Sequence, residues 1–279
     1  MNHPIYPCLW FNGQAQAAAE FYRKAVKNTK ILQDSGIVVM LEIGGQKMML
    51  LNGGPEFEIN PSISFYVVCE TEDEINSMWK NLSDGGSALM PLDKYPWSEK
   101  YGWVQDRFGM TWQLSLGSIA ETNPKIIPCL LFVNDQFGNA EKAINLYTSL
   151  FKNSGVNFIS KYEAGTPYEG KVLFVQFNLG KSTFAAMDGP DTHHFKFNEG
   201  VSFVVDCDTQ EEIDFFWNKL TADGGQESQC GWLKDPFGVS WQIVPSVLPK
   251  LMSDPGRAQR VVNAFLKMKK FDIETLMQA

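Results

Sequence analysis

Residues 231–242 read GWLKDPFGVSWQ, and residues 102–113 read GWVQDRFGMTWQ. Seven of the twelve positions are identical: Gly, Trp, Asp, Phe, Gly, Trp and Gln. Each copy has the make-up of a hairpin. Trp232 and Leu233 end one strand, Asp235-Pro236-Phe237-Gly238 makes the turn, and Ser240 to Val244 begins the next strand. Proline presets φ at the second turn position, the aspartate before it can bond the turn backbone, and glycine accepts a positive φ. Arg107 stands where Pro236 would be in the upstream copy, which keeps Asp106 and Gly109. A hairpin this specific, present twice, predicts a duplicated fold, and a repeat governs every later reading.

The elements before each hairpin recur in the same order. Ile5 to Phe11 is an apolar strand, and Gln14 to Val26 a helix with Ala18, Phe21, Tyr22 and Ala25 on one face. Short strands follow near Lys30–Gln33, Ile37–Ile43 and Lys47–Leu51, with Gly44-Gly45 as the turn between the last two. Ser62 to Cys69 opens a second unit. Thr71 and Glu74 have capping-box spacing before a helix that runs to Leu82, and Gly85-Gly86 ends it. Residues Ala88 to Tyr101 read as a loop into the hairpin. In the second half Pro128-Cys129-Leu130 echoes Pro7-Cys8-Leu9, Asn139 to Phe151 repeats the first helix, and the segment from Val201 repeats that from Ile63. Cys69 maps to Cys207 at a spacing of 138 (207 − 69), whereas Trp103 maps to Trp232 at 129 (232 − 103). The first half therefore carries the longer connection, rich in aromatics at Tyr95, Trp97 and Tyr101. The halves divide near Glu121 to Pro124. A tail follows Pro245, with a helix from Asp254-Pro255 through Met268 and a short last helix capped by Asp272.

A chain of 279 residues with 20 Phe and 8 Trp can bury a core in each half. Its net charge of -8 and absence of a basic stripe argue against nucleic acid or an anionic membrane as partner. No run of roughly 18 apolar residues predicts a membrane span, and no basic segment leads a signal-like apolar run. Five cysteines among apolar neighbours suit a reducing cytoplasm rather than a disulfide framework.

The segments CGWLKDPFGVSWQIVP (residues 230–245), MDGP (187–190), SFVVDCDTQEEIDFFWNKL (202–220) and the tail RVVNAFLKMKKFDIETL (260–276) resemble the PhnB-like branch of the vicinal-oxygen-chelate superfamily. That superfamily includes glyoxalase I, bleomycin-resistance proteins and extradiol dioxygenases. Members of the branch often carry the label "3-demethylubiquinone-9 3-methyltransferase domain". The second half matches over its whole length, and the first half more loosely. The resemblance implies an α+β chain of two tandem glyoxalase/bleomycin-resistance-like domains, residues 1–121 and 122–250, with a helical tail at 251–279. Each domain would be two βαβββ units forming a curved, cup-like sheet. Related single-domain members pair as dimers, so the fused chain is expected to make that pairing internally, as a pseudo-dimer, with further oligomerisation open.

The resemblance also says where a metal would sit. In glyoxalase-like members the first-strand His aligns near Pro7 and Pro128, the second unit's opening His near Ser64 and Ser202, and the closing Glu with Gln113 and Gln242. Proline offers no side-chain donor, serine is a poor ligand, and glutamine is far weaker than glutamate. His193-His194 reads as a solvated turn. No metal and no cofactor are expected. Gln113 and Gln242 each follow a tryptophan on the closing strand, so the two side chains point to opposite faces. With the tryptophan packed on a helix, the glutamine would face the cup and fix a polar ligand through donor and acceptor together. Ser64, Ser202, Trp97 and Tyr101 are further candidates for lining the cup.

LEIGGQ (41–46) resembles the glycine-rich start of an S-adenosylmethionine site, and GKST (180–183) the end of a phosphate loop. Both motifs need a following helix. Here KMMLL and TFAAM follow, which read as strands, so both become hairpin turns. Cys8, Cys69, Cys129 and Cys207 read as buried small hydrophobes, with Cys230 the most exposed. The expectation is a metal-free small-molecule-binding protein. An enzyme of the superfamily (lyase, isomerase or dioxygenase), or the methyltransferase of the label, is the alternative.

Overall fold

A computed structural model describes residues 3–279 and contains sixteen strands and eight α-helices among them. The first unit is β1 (Tyr6–Phe11), α1 (Ala15–Ala25), β2 (Lys30–Asp34), β3 (Val38–Ile43) and β4 (Gln46–Asn52). The second is β5 (Ile63–Cys69), α2 (Glu72–Leu82), β6 (Ser87–Tyr95), β7 (Ser98–Gln105) and β8 (Thr111–Leu116), followed by the short α3 (Ile119–Thr122). The third is β9 (Ile126–Phe132), α4 (Ala140–Leu150), β10 (Gly155–Lys161), β11 (Val172–Leu179) and β12 (Ser182–Asp188). The fourth is β13 (Val201–Cys207), α5 (Gln210–Leu220), β14 (Gln226–Glu227), β15 (Trp232–Lys234) and β16 (Ser240–Pro245). The tail holds α6 (Leu248–Met252), α7 (Ala258–Phe265) and α8 (Ile273–Gln278).

The duplicated βαβββ order is the one expected, and the strands assemble into two curved eight-stranded sheets. What the topology adds is how the units are shared. One sheet runs β14-β15-β16-β13-β1-β4-β3-β2 and joins the fourth unit to the first; the other runs β10-β11-β12-β9-β5-β8-β7-β6 and joins the third to the second. Every sheet thus takes one unit from each half of the chain. The joins are antiparallel, between β1 and β13 and between β5 and β9, and they set Cys8 opposite Ser202 and Ser64 opposite Cys129.

Helices α1 and α4 lie between the sheets. The inward face of α1 is Ala15, Ala18, Ala19, Tyr22 and Ala25, whose small side chains let the helix sit close to the strands. From this face Tyr22 reaches Trp112 of β8 in the other sheet, with ring centroids 5.4 Å apart, and from α4 Tyr147 reaches Trp241 of β16 at 5.3 Å. Phe184 of β12 meets Phe203 of β13 at 5.1 Å, so the main core spans both sheets. Asp188, within the MDGP segment, is buried and accepts from the backbone N–H groups of Gly138, Ala140 and Val172, which pins the start of α4 to β12.

Both copies of the hairpin close on their aspartate. Gly238 N–H donates to Asp235 O and Gly109 N–H to Asp106 O, with φ of +88° and +90° at the two glycines. The Asp235 carboxylate also accepts from Phe237 N, Val239 N, Trp241 Nε1 (2.9 Å) and Tyr147 Oη (2.7 Å). The turn residue is therefore also the buried anchor that holds the following tryptophan against a helix.

Two expectations need correction. Ala88 to Tyr101 is not a loop: it forms most of the long hairpin β6–β7. Pro91 and the register shifts along the pair blur the alternation that signals a strand, and β6 is an edge strand, where proline is tolerated. The helix expected from Asp254 starts only at Ala258, and α6 precedes it. The tail docks on the fourth unit, where Cys230 N donates to Met268 O and Gly231 N to Lys269 O. A Cβ at Gly231 would lie 2.4 Å from the Phe271 ring, so glycine there permits the docking.

Candidate functional site

Period-two alternation divides each strand between the helix-bearing face and the opposite face, here called the cup. Trp112 and Trp241 pack among the helices, which turns Gln113 and Gln242 to the cup side as the sequence spacing implied. On β1, Leu9 and Phe11 belong to the main core, as does Ile5 just before it, while Tyr6 and Cys8 belong to a separate cluster with Val204, Met40, Met49, Leu51 and Val244. The corresponding cluster of the other sheet is Ile127, Cys129 and Ala185 with Tyr66, Phe174 and Met187. These clusters are the apolar linings of the two cups.

A polar group sits in each lining. In the β1/β13 cup, Gln242 Nε2 donates to Ser202 Oγ at 2.9 Å, and the Cys8 thiol lies beside both side chains. In the β5/β9 cup, Gln113 Nε2 donates to Ser64 Oγ at 2.8 Å, and the Cys129 thiol lies beside both. Tyr101 Oη donates to Gln113 Oε1 at 2.8 Å in that second cup. All of these side chains are buried: Gln113 is 2% exposed and Gln242 6%. The hydroxyls of Thr111 and Ser240, two residues before Gln113 and Gln242, are buried and have no hydrogen-bond partner among the described residues, as is the case for Trp103 Nε1. Buried polar atoms left unpaired cost free energy that water or a ligand can recover.

Of the expected cup residues, the structure brings Gln113, Ser64 and Tyr101 together as one group and Gln242 and Ser202 as another. Trp97 stands apart. It is 63% exposed at the β6–β7 tip, stacked on Tyr95 at 5.0 Å and edge-on to Tyr101 at 5.7 Å, so it buttresses Tyr101 rather than lining the floor. Cys8 and Cys129 were missed as site members. The resemblance placed the first-strand position near Pro7 and Pro128, but alternation from Leu9 and Leu130 puts the neighbouring cysteines on the cup face. His193, in the loop read as a solvated turn, has its ring nitrogen 2.9 Å from Pro190 O, and Asn134 clasps the loop backbone.

A divalent ion does not fit this donor set. Burial pushes the Cys8 and Cys129 thiols up to about 12, so both are neutral at physiological pH, and a metal takes the thiolate. The remaining atoms are a serine hydroxyl and a glutamine amide whose nitrogen, not its oxygen, faces that hydroxyl. Among the described residues no three His, Cys, Asp or Glu side chains are grouped to hold a metal ion. The two glycine-rich motifs are turns: Gly44-Gly45 joins β3 to β4, and Gly180-Lys181 joins β11 to β12.

Comparison with known proteins places the fold. Glyoxalase I from Zea mays is 11% identical, with 89% of this chain and 96% of that one covered at a TM-score of 0.59, a likeness of fold alone. A structure described as "Putative 3-demethylubiquinone-9 3-methyltransferase, PhnB protein, from Bacillus cereus" is 33% identical over 41% of this chain and 100% of that one, at a TM-score of 0.39. No curated protein matches the chain. The family model described as 3-demethylubiquinone-9 3-methyltransferase matches residues 3–115 and again 124–244. The chain belongs to that family and carries its domain twice.

Proposed function

We propose that the chain is a small-molecule-binding protein whose cups recognise ligands through neutral hydrogen-bonding groups, without a divalent metal. The observation that carries this reading is the repeated Cys–Ser–Gln floor, Cys8-Ser202-Gln242 and Cys129-Ser64-Gln113, set in apolar linings. An amide and a hydroxyl in an apolar wall select a ligand by donor and acceptor placement, while the wall supplies most of the binding free energy. The pairing of units across the two halves makes one chain the equivalent of a dimer of single domains. Five free cysteines suit a reducing compartment such as the cytoplasm. No helix among the described residues is long and apolar enough to cross a membrane.

Methyl transfer, which the family description names, gains no support from the glycine motifs, since both turn hairpins and neither opens a helix. The test is a thermal-shift screen of the full chain against small neutral aromatic and polar compounds, with S-adenosylmethionine alongside. Stabilising compounds should lose their effect in Gln113→Ala or Gln242→Ala. Tight S-adenosylmethionine binding would return the assignment to a methyltransferase. Compounds that stabilise both variants as well as the parent would place binding outside the cups.

A further inference from the structure

The two floors differ in one hydrogen bond. In the β5/β9 cup both ends of the Gln113 amide are taken, the nitrogen by Ser64 and the oxygen by the Tyr101 hydroxyl. In the β1/β13 cup Gln242 Nε2 is taken by Ser202, and among the described residues no donor reaches Gln242 Oε1. The cause lies in the unequal hairpins. Tyr101 comes from β7, whose long pairing with β6 holds it beneath Tyr95 and Trp97. The fourth unit has only the short β14 and β15. The residue in Tyr101's place, 129 positions on (101 + 129), is Cys230, whose thiol turns to Phe265 O in the tail at 3.7 Å.

The open carbonyl has an aromatic surround. Trp232 is the cross-strand partner of Gln242, its ring 5.7 Å from that of Trp10, and Trp10 lies 5.1 Å from Phe57. The Ser240 hydroxyl beside Ser202 on the next strand also has no partner among the described residues. In the other cup the chain itself shows what this floor accepts: a phenol, its hydroxyl on the glutamine oxygen and its ring among aromatics.

The geometry points to the β1/β13 cup as the one that takes a free ligand, a small phenol whose hydroxyl donates to Gln242 Oε1 as Tyr101 donates to Gln113, while the β5/β9 cup is filled by its own tyrosine. This rests on the small-molecule reading above and names its ligand class and its site. A phenol and its methyl ether have nearly the same shape, but only the phenol offers a donor.

The experiment is fluorine NMR of the full chain titrated with 4-fluorophenol and, separately, 4-fluoroanisole. The expected result is saturable binding of one 4-fluorophenol per chain, at least about tenfold weaker binding of 4-fluoroanisole, and a loss of similar size in Gln242→Met, with folding checked by near-ultraviolet circular dichroism. The comparison of the two probes on the parent chain stands even if the variant does not fold. Equal binding of both probes, or 4-fluorophenol binding unchanged in folded Gln242→Met, overturns the assignment. If 4-fluorophenol does not bind but compounds from the thermal-shift screen do, and lose binding in the glutamine variants, this inference falls and the small-molecule reading stands. If nothing binds either cup, both fall.

Discussion

The Tyr101 hydroxyl donates to Gln113 Oε1 at 2.8 Å, and the equivalent Gln242 Oε1 has no such donor among the described residues. Two floors built from the same residue types are thereby set to different states by a hairpin that is long in one unit and short in the other.

Replacing Tyr101 with phenylalanine removes that donor and leaves the ring in place. The buried Gln113 carbonyl then lacks a partner, at a cost of about 1–3 kcal/mol in urea unfolding. Tyr101→Ala removes the ring as well and vacates the second floor, so the number of 4-fluorophenol molecules bound per chain should rise from one toward two in that variant. Tyr101→Phe as stable as the parent, or unchanged stoichiometry in a folded Tyr101→Ala variant, would show that Tyr101 does not decide occupancy.

Much of this was legible in the sequence, because the repeat fixed the order of elements and the alternation Trp-Gln fixed the face. The capping-box spacing at Thr71 and Glu74 likewise appears as Glu74 N donating to Thr71 Oγ1 at 3.2 Å. The sharing of each sheet between halves was not legible, because β1 offers the same alternating edge to β5 or to β13. Register across that join decides that Cys8 meets Ser202, and register is a tertiary fact. Ala88 to Tyr101 was misread for a local reason: Pro91, Asp93 and Lys94 look like loop residues but lie along a bulged edge strand.

Asp106 and Asp235 predict a pH signature. Burial pushes both carboxyls up to about 6 from an ordinary value of 3.8, against the lowering effect of their hydrogen bonds, of which the Trp112 indole leads at Asp106 and the Tyr147 hydroxyl at Asp235. A folded value above the unfolded one means the folded chain keeps a proton that the unfolded chain releases. The stability each contributes is full below about pH 3.8 and is lost as pH rises through about 6, roughly 3 kcal/mol per residue. Urea titrations should show the free-energy gap between the parent and Asp106→Asn/Asp235→Asn narrowing from about pH 4 to about pH 7. A gap independent of pH would contradict the raised values.

The cysteines should separate by reactivity. Burial raises Cys8 and Cys129 to about 12, whereas Cys230 is raised by less and is partly exposed. Iodoacetamide treatment of the native chain followed by peptide mass mapping should label Cys230 first, with Cys8 and Cys129 protected until the chain unfolds. Early labelling of Cys8 would mean that its cup opens to solvent more freely than the packed floor allows.

The most direct test of a neutral floor is the metal content of the chain. Protein purified without chelator, then incubated with Zn, Ni, Mn and Fe(II) salts in turn and desalted, should retain well below one ion per chain by elemental analysis. One ion or more per chain, retained by the parent and lost in Gln242→Ala or Gln113→Ala, would contradict the account.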